Sequence, residues 1–147
     1  MLIGEFETKI TDSNRVAVPK KFREELGNDL IILNGYEGCL IIVDESKFLA
    51  LTKDIIEGRF INDAVRDMTR FLVGSAQEIR LDNQGRFVLP QSLRDYAGLE
   101  SECIFLGLFN WIELWSKSRW LERKEFVKTH AVEIANKLER SLNGNNI

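Results

Sequence analysis

The sequence predicts an α+β fold in which a small β-rich unit occurs twice and helices follow each copy. Three observations carry this: an internal repeat, short apolar runs interrupted by turn residues, and two apolar stripes at helical spacing. Setting residues 6–27 against 77–98, an offset of 71, pairs Glu7 with Glu78, Arg15 with Arg86, Pro19 with Pro90, Arg23 with Arg94 and Gly27 with Gly98. Similar residues fill in between, such as Lys9 with Arg80, Ile10 with Leu81, Val18 with Leu89 and Phe22 with Leu93. The identities are few, but they fall on Arg, Pro and Gly, residues with specific charge or backbone roles.

The elements follow in order. In each copy a short apolar run meets a polar turn, Thr11-Asp12-Ser13-Asn14 or Asp82-Asn83-Gln84-Gly85. Asn14 and Gly85 both tolerate the positive φ that a tight strand-to-strand turn needs. A second short strand follows, Val16-Ala17-Val18 or Phe87-Val88-Leu89. Pro19 or Pro90 then suits the start of a helix of about two turns, and Gly27 or Gly98 stands where a C-cap belongs. Two more strands complete each copy, near 30–34 with 40–43 and near 103–107 with 111–115. Between the copies, one helix is expected over 48–56. A second is marked by the stripe Ala64, Val65, Met68, Phe71 and Leu72. After the second copy, Trp120, Val127, Ala131, Ile134, Leu138 and Leu142 mark one long amphipathic helix over about 118–142, with Asn143-Gly144-Asn145-Asn146 fraying. No Pro- or Ser-rich linker separates the copies, so they are expected to pack as one unit. The boundaries read as a first module at 5–48, a helical connector at 49–75, a second module at 76–120 and a helix with tail at 121–147.

Composition narrows the function classes. The chain has 147 residues, 44% hydrophobic and 29% charged, which excludes disordered and low-complexity classes. No window has the roughly 18 consecutive apolar residues of a membrane span, and the opening residues lack the basic segment of a signal peptide. Cys39 and Cys103 lie in apolar runs, fitting buried thiols of a reduced, cytoplasmic protein. The single histidine, His130, with no co-ligands near it in sequence, argues against metal or triad chemistry. There is no phosphate-binding glycine loop and no nucleophile–base pair, so no enzyme, cofactor or small-molecule substrate is expected. The net charge of −3 at first disfavours nucleic acid, but it is unevenly spread. Residues 1–23 carry five bases against three acids, whereas 37–67 carry seven acids against four bases.

The chemistry-bearing feature is an acid and an arginine flanking each turn. An Asp four residues before an Arg can accept from turn amides or from the guanidinium and hold the Arg in one orientation. A guanidinium so held matches phosphate oxygens or the O6/N7 edge of guanine, and a two-stranded ribbon is narrow enough for a major groove. Lys9, Lys20, Lys21 and Arg80 are candidate phosphate contacts around the two turns. Arg23 and Arg94 read equally as ligand contacts or as partners of carboxylates such as Glu24 and Asp95. A lone Asp-x-x-x-Arg is common and usually an exposed ion pair worth under about 1 kcal/mol. Its duplication before a strand and a proline makes the signal stronger. Trp111, Trp115 and Trp120 sit in or beside the apolar pattern and read as core or subunit interface.

The run Asp82-Asn83-Gln84-Gly85-Arg86-Phe87-Val88-Leu89-Pro90-Gln91-Ser92-Leu93-Arg94 resembles the core motif of the MraZ family of bacterial transcriptional regulators. So do Gly4-Glu5-Phe6, Val18-Pro19-Lys20-Lys21-Phe22-Arg23 and Ile112-Glu113-Leu114-Trp115, and the resemblance spans nearly the whole chain. It implies two AbrB-like swapped-hairpin modules forming one pseudo-symmetric, β-barrel-like unit with flanking helices. It also implies a homo-oligomeric closed ring of octamer type whose Asp-x-x-x-Arg turns face double-stranded DNA. The target would be repeated boxes in the promoter of the division and cell-wall gene cluster, with the protein acting as a nucleoid-associated repressor. Carried over by position, Arg15 and Arg86 are the DNA contacts, and Asp82 is the acid that orients Arg86 across Gly85. The first copy departs from the pattern. Thr11 stands four residues before Arg15, the acid is one place later at Asp12, and Asn14 replaces the glycine. Either Thr11 substitutes as a weaker acceptor or the turn is shaped differently. An AbrB-like protein-interaction or antitoxin-type module is the alternative reading.

Overall fold

Apolar alternation and turn residues set the element order in the computed structural model of the chain, which describes residues 1–144. The first copy comprises β1 (Ile3–Lys9), β2 (Arg15–Ala17), α1 (Lys20–Leu26), β3 (Asp29–Asn34) and β4 (Leu40–Val43). Helices α2 (Glu45–Leu51), α3 (Lys53–Ile56) and α4 (Asp63–Leu72) follow. The second copy comprises β5 (Gln77–Arg80), β6 (Arg86–Val88), α5 (Gln91–Ala97), β7 (Glu102–Leu108) and β8 (Ile112–Ser116). Pro19 and Pro90, with φ of −52° and −61°, stand immediately before α1 and α5. Gly27 and Gly98 end those helices at φ of 83° and 58°. Asp44 caps α2 by accepting the Lys47 N–H, and Asn62 caps α4 by accepting from Ala64 and Val65.

The strands form a six-stranded antiparallel sheet in the order β1-β7-β8-β4-β3-β5 and a separate two-stranded sheet of β2 with β6. The order is the same read from either edge once copies are exchanged. β4 and β8 meet in the middle, and each copy's first strand lies on the other copy's third strand. Neither copy can therefore form its share of the sheet alone. The barrel-like closure that the resemblance implies is absent among the described residues: β1 and β5 are open edges. The strands that follow those edges in the chain, β2 and β6, pair with each other in a separate ribbon instead of continuing the sheet, and Pro19 and Pro90, which cannot donate to a ladder, keep them short.

One core fills the space between the large sheet, the ribbon and the two short helices. It joins Val16, Val18, Phe87 and Leu89 to Phe22 and Leu93 and to sheet residues Ile32, Leu40, Ile42, Phe105, Ile112 and Leu114. Phe6 meets Phe22 edge-on at 5.0 Å. Alternation sends Leu33 and Val43 to the opposite face, where they pack with Phe48, Ile55, Met68, Phe71 and Leu72 from the connecting helices. The single helix expected over 48–56 is broken at Thr52, a buried residue whose hydroxyl donates to the Phe48 carbonyl at 2.7 Å. The Thr52 backbone leaves helical geometry there, at φ −100° and ψ 8°.

The chain divides into two units, Met1–Ser116 and Lys117–Ile147. In the second, the long helix expected over 118–142 is two helices, α6 (Lys117–Thr129) and α7 (Ala131–Leu142), separated by His130 at φ −109° and ψ 13°. The Thr129 hydroxyl turns back to the Glu125 and Phe126 carbonyls and the His130 ring to the Phe126 carbonyl. His130 stacks on Phe126 at 4.2 Å. Asn143 and Gly144 form a turn, and the expected fraying at Asn145 and Asn146 lies outside the described residues. Among the described residues no helix is long and apolar enough to cross a membrane.

Candidate nucleic-acid interface

The two turns singled out in the sequence have one backbone design. Asn14 N–H donates to Thr11 O and Thr11 N–H to Arg15 O; Gly85 N–H donates to Asp82 O and Asp82 N–H to Arg86 O. All four bonds measure 2.9 Å. The residue closing each turn is left-handed, Asn14 at φ 61° and Gly85 at φ 75°. This is the pattern of a short hairpin connection in which a turn is followed by one residue of positive φ. The departure of the first copy from the motif leaves the shape of its turn unchanged.

The side chains behind the two arginines do differ. Asp82 Oδ1 accepts the Gln84 and Arg86 N–H groups at 2.9 Å each, and Oδ2 accepts the Arg86 Nε–H at 3.1 Å. The Arg86 N–H, followed by the Gln84 N–H and the guanidinium, holds the Asp82 carboxyl below the usual carboxylate range. Thr11 takes over the first of these roles: its Oγ1 accepts the Arg15 N–H at 3.1 Å. Its single oxygen also meets the Ser13 hydroxyl at 3.0 Å, leaving no second oxygen like Asp82 Oδ2 for the guanidinium, and among the described residues Arg15 has no ion-pair partner. Asp12 is exposed and contributes nothing to the turn's hydrogen bonds.

The ribbon brings both arginines onto one face. In the β2–β6 ladder Arg15 lies opposite Val88, Val16 opposite Phe87, and Ala17 opposite Arg86. Val16 and Phe87 point into the core at 0% and 3% exposure, so Arg15, Ala17, Arg86 and Val88 form the outer face. Leu89 N–H to Asn14 O and Val18 N–H to Gly85 O are the flanking ladder bonds. They place Arg15–Val88 and Ala17–Arg86 at the narrow, non-hydrogen-bonded positions, Cα atoms about 4.5 Å apart. The two arginines are thus diagonal on a three-residue ribbon, each on its own turn.

Each turn is braced by the helix of the other copy. The Asn14 amide donates to Leu89 O at 2.7 Å and accepts from the Arg94 guanidinium on α5. At the matching position Gly85 has no side chain, and Arg23 of α1 fills that space: a Cβ at 85 would overlap its Cδ, Nε and Cζ. Arg23 Nε donates to Val18 O and Arg94 Nε to Leu99 O, each at 3.0 Å. Among the described residues neither arginine pairs with a carboxylate; carbonyl oxygens take that place. The exchange of Asn for Gly at one repeat position was the available signal, since a side chain lost there must be replaced from elsewhere.

The other candidates sit around this face without joining it. Lys9 and Arg80 are exposed at the ends of β1 and β5, each just before a turn, and Arg80 reaches Asp29 at 3.6 Å. Lys20 and Lys21 are exposed in the first turn of α1. Among the described residues no group of His, Cys, Asp or Glu could hold a metal ion. Cys39 and Cys103 are free and buried. Burial pushes the Cys103 thiol up to about 11 and also raises Cys39, which Glu113 and Glu37 face. Trp111 and Trp115 both donate from Nε1 to the Glu113 carboxylate, at 3.0 and 2.8 Å. Trp115 is buried, and Trp111 packs on the second core cluster.

The family model described as "MraZ protein, putative antitoxin-like" matches the chain twice, over residues 1–71 and 72–143. Among curated relatives, the transcriptional regulator MraZ of Clostridium acetobutylicum is 38% identical over 85% of this chain and 88% of its own length. That of Syntrophomonas wolfei is 33% identical over 94% of this chain and 96% of its own. That of Saccharopolyspora erythraea is 33% identical over 98% and 99%.

Proposed function

The chain belongs to the MraZ family of transcriptional regulators, and from that premise we propose that it acts by binding double-stranded DNA through the outer face of the β2–β6 ribbon. The observation that carries this is the presence of Arg15 and Arg86 together on one exposed face, each at the end of a closed turn. Arg86, held by Asp82, presents a fixed fork suited to a guanine edge or a phosphate. Arg15, with no acid behind it, contributes charge with less fixed geometry. Lys9, Lys20, Lys21 and Arg80 supply sequence-independent phosphate contacts around it.

In this reading the modules are 5–48 and 76–120, with 49–75 as connector and 121–147 as helix and tail. The exchange of first strands between copies supports the swapped-hairpin description. A chain of net charge −3 with few basic groups at its reading face neutralises few phosphates and binds weakly alone. Assembly into a closed ring of octamer type facing tandem promoter boxes would raise the effective concentration of each further contact. Repression of the division and cell-wall gene cluster, and residence in the cytoplasm at the nucleoid, complete the proposal. Anisotropy titrations of Arg86→Ala and Arg15→Ala against the DNA upstream of the gene test it, with mass measured by light scattering. Both variants should lose affinity with the mass unchanged, Arg86→Ala more so. The antitoxin-like wording of the family description favours a second reading, a protein-docking module. A stoichiometric protein partner retained with no DNA would support that instead.

A further inference from the structure

Resting on the DNA-binding reading, we infer that Val88 is a specificity-determining residue that reads the C5-methyl group of a thymine beside the bases contacted by the arginines. The alternation that buries Phe87 at 3% and Leu89 at 1% leaves Val88 54% exposed at the ribbon surface. Its cross-strand neighbour is Arg15 at a narrow pair, and Arg86 lies two residues back on its own strand. An apolar, β-branched side chain therefore stands beside both arginine positions on a face that is otherwise Arg, Ala and Arg. Nothing in the core needs it there, because Val16 and Phe87 supply the ribbon's inward contacts.

Its neighbours say what it would touch. Guanidinium groups seek the O6 and N7 acceptors of guanine, and the apolar feature of the major-groove edge is the thymine methyl. The Arg15–Val88 and Ala17–Arg86 pairs stand two residues apart, about 6.8 Å along the ribbon. That is about two nucleotide spacings along one DNA strand, so an apolar contact and an Arg contact fall on nearby bases. The pseudo-symmetry is broken at this point alone on the outer face. The position matching Val88 in the first copy is Ala17, whose side chain is too short to reach past a neighbouring arginine. The two ends of the ribbon therefore present the same charge and different apolar reach, which makes the preferred step asymmetric.

The test uses the full-length protein and duplexes recovered by selection from a randomised library, with each thymine in turn replaced by deoxyuridine, a change that removes only the methyl. Wild type should lose about four-fold in affinity at one thymine per ribbon contact, the change that burial of one methyl-sized group gives. Val88→Ala should bind thymine and deoxyuridine duplexes equally. Val88→Thr, nearly the same shape but with a hydroxyl for one methyl, should show reduced discrimination at an unchanged melting temperature. Wild type indifferent to every deoxyuridine, or Val88→Ala retaining the full four-fold difference, overturns the inference while leaving DNA binding intact. Failure of wild type to recover any duplex overturns both.

Discussion

Replacing Gly85 with alanine puts a methyl group into space filled by the Arg23 side chain, at a backbone φ of +75°. The strain of an L-residue in the left-handed region costs about 1–2 kcal/mol. Displacing Arg23 also breaks its 3.0 Å bond to the Val18 carbonyl, a half-buried bond from a charged donor worth about 1.5–3 kcal/mol. The expected loss is therefore about 2.5–5 kcal/mol, or about 1.2–2.5 M in the urea midpoint at a slope of about 2 kcal/mol/M. A double-mutant cycle with Arg23→Ala separates the two causes, because that background has already lost the bond and emptied the space. There Gly85→Ala should cost only the strain, leaving a coupling of about 1.5–3 kcal/mol. A loss below 0.5 kcal/mol in the parent, or an equal loss in both backgrounds, would refute the bracing argument.

Other outcomes follow from the same geometry. Asp82→Asn should weaken DNA binding more than Thr11→Val, since Asp82 alone holds its arginine's guanidinium, and side-by-side anisotropy titrations decide the order. Because the folded Asp82 carboxyl titrates below its ordinary value of 3.8, its stabilising contribution is present above that pH and is lost as pH falls below it. Urea midpoints between pH 5 and 2.5 should therefore fall more steeply in the parent than in Asp82→Asn. Both thiols should resist iodoacetamide at pH 8 in the native protein and react fully in denaturant, read by mass spectrometry; modification of folded protein at the unfolded rate would contradict their burial.

How much of this was legible depended on whether the cause was local. Asn14 and Gly85 at positive φ, the prolines ahead of α1 and α5, and the glycines ending those helices all reflect backbone preferences of single residues. The internal repeat exposed them. What the sequence hid was pairing at a distance. Arg94 reads as a neighbour of Asp95, yet it braces Asn14, 80 residues away. The exchange of first strands between copies carries no local mark either, because β1 would look the same paired within its own copy. The breaks at Thr52 and His130 are departures of one residue's backbone from helical geometry, and the apolar stripe runs on through both. The outer face of the ribbon was implicit in the alternation, but it needed the pairing of β2 with β6 before Arg15 and Arg86 became one surface.

One titration of the Arg15→Ala, Arg86→Ala double variant decides whether the outer face of the ribbon contacts DNA. The probe is a fluorescent duplex from upstream of the gene at 150 mM salt, with circular dichroism and light scattering on the same samples. Loss of measurable binding is expected at the mass of wild type and with a melting curve close to it, because the variant keeps the Arg86 backbone N–H, the first of the bonds to Asp82. Binding within two-fold of wild type by an equally folded double variant would contradict that contact.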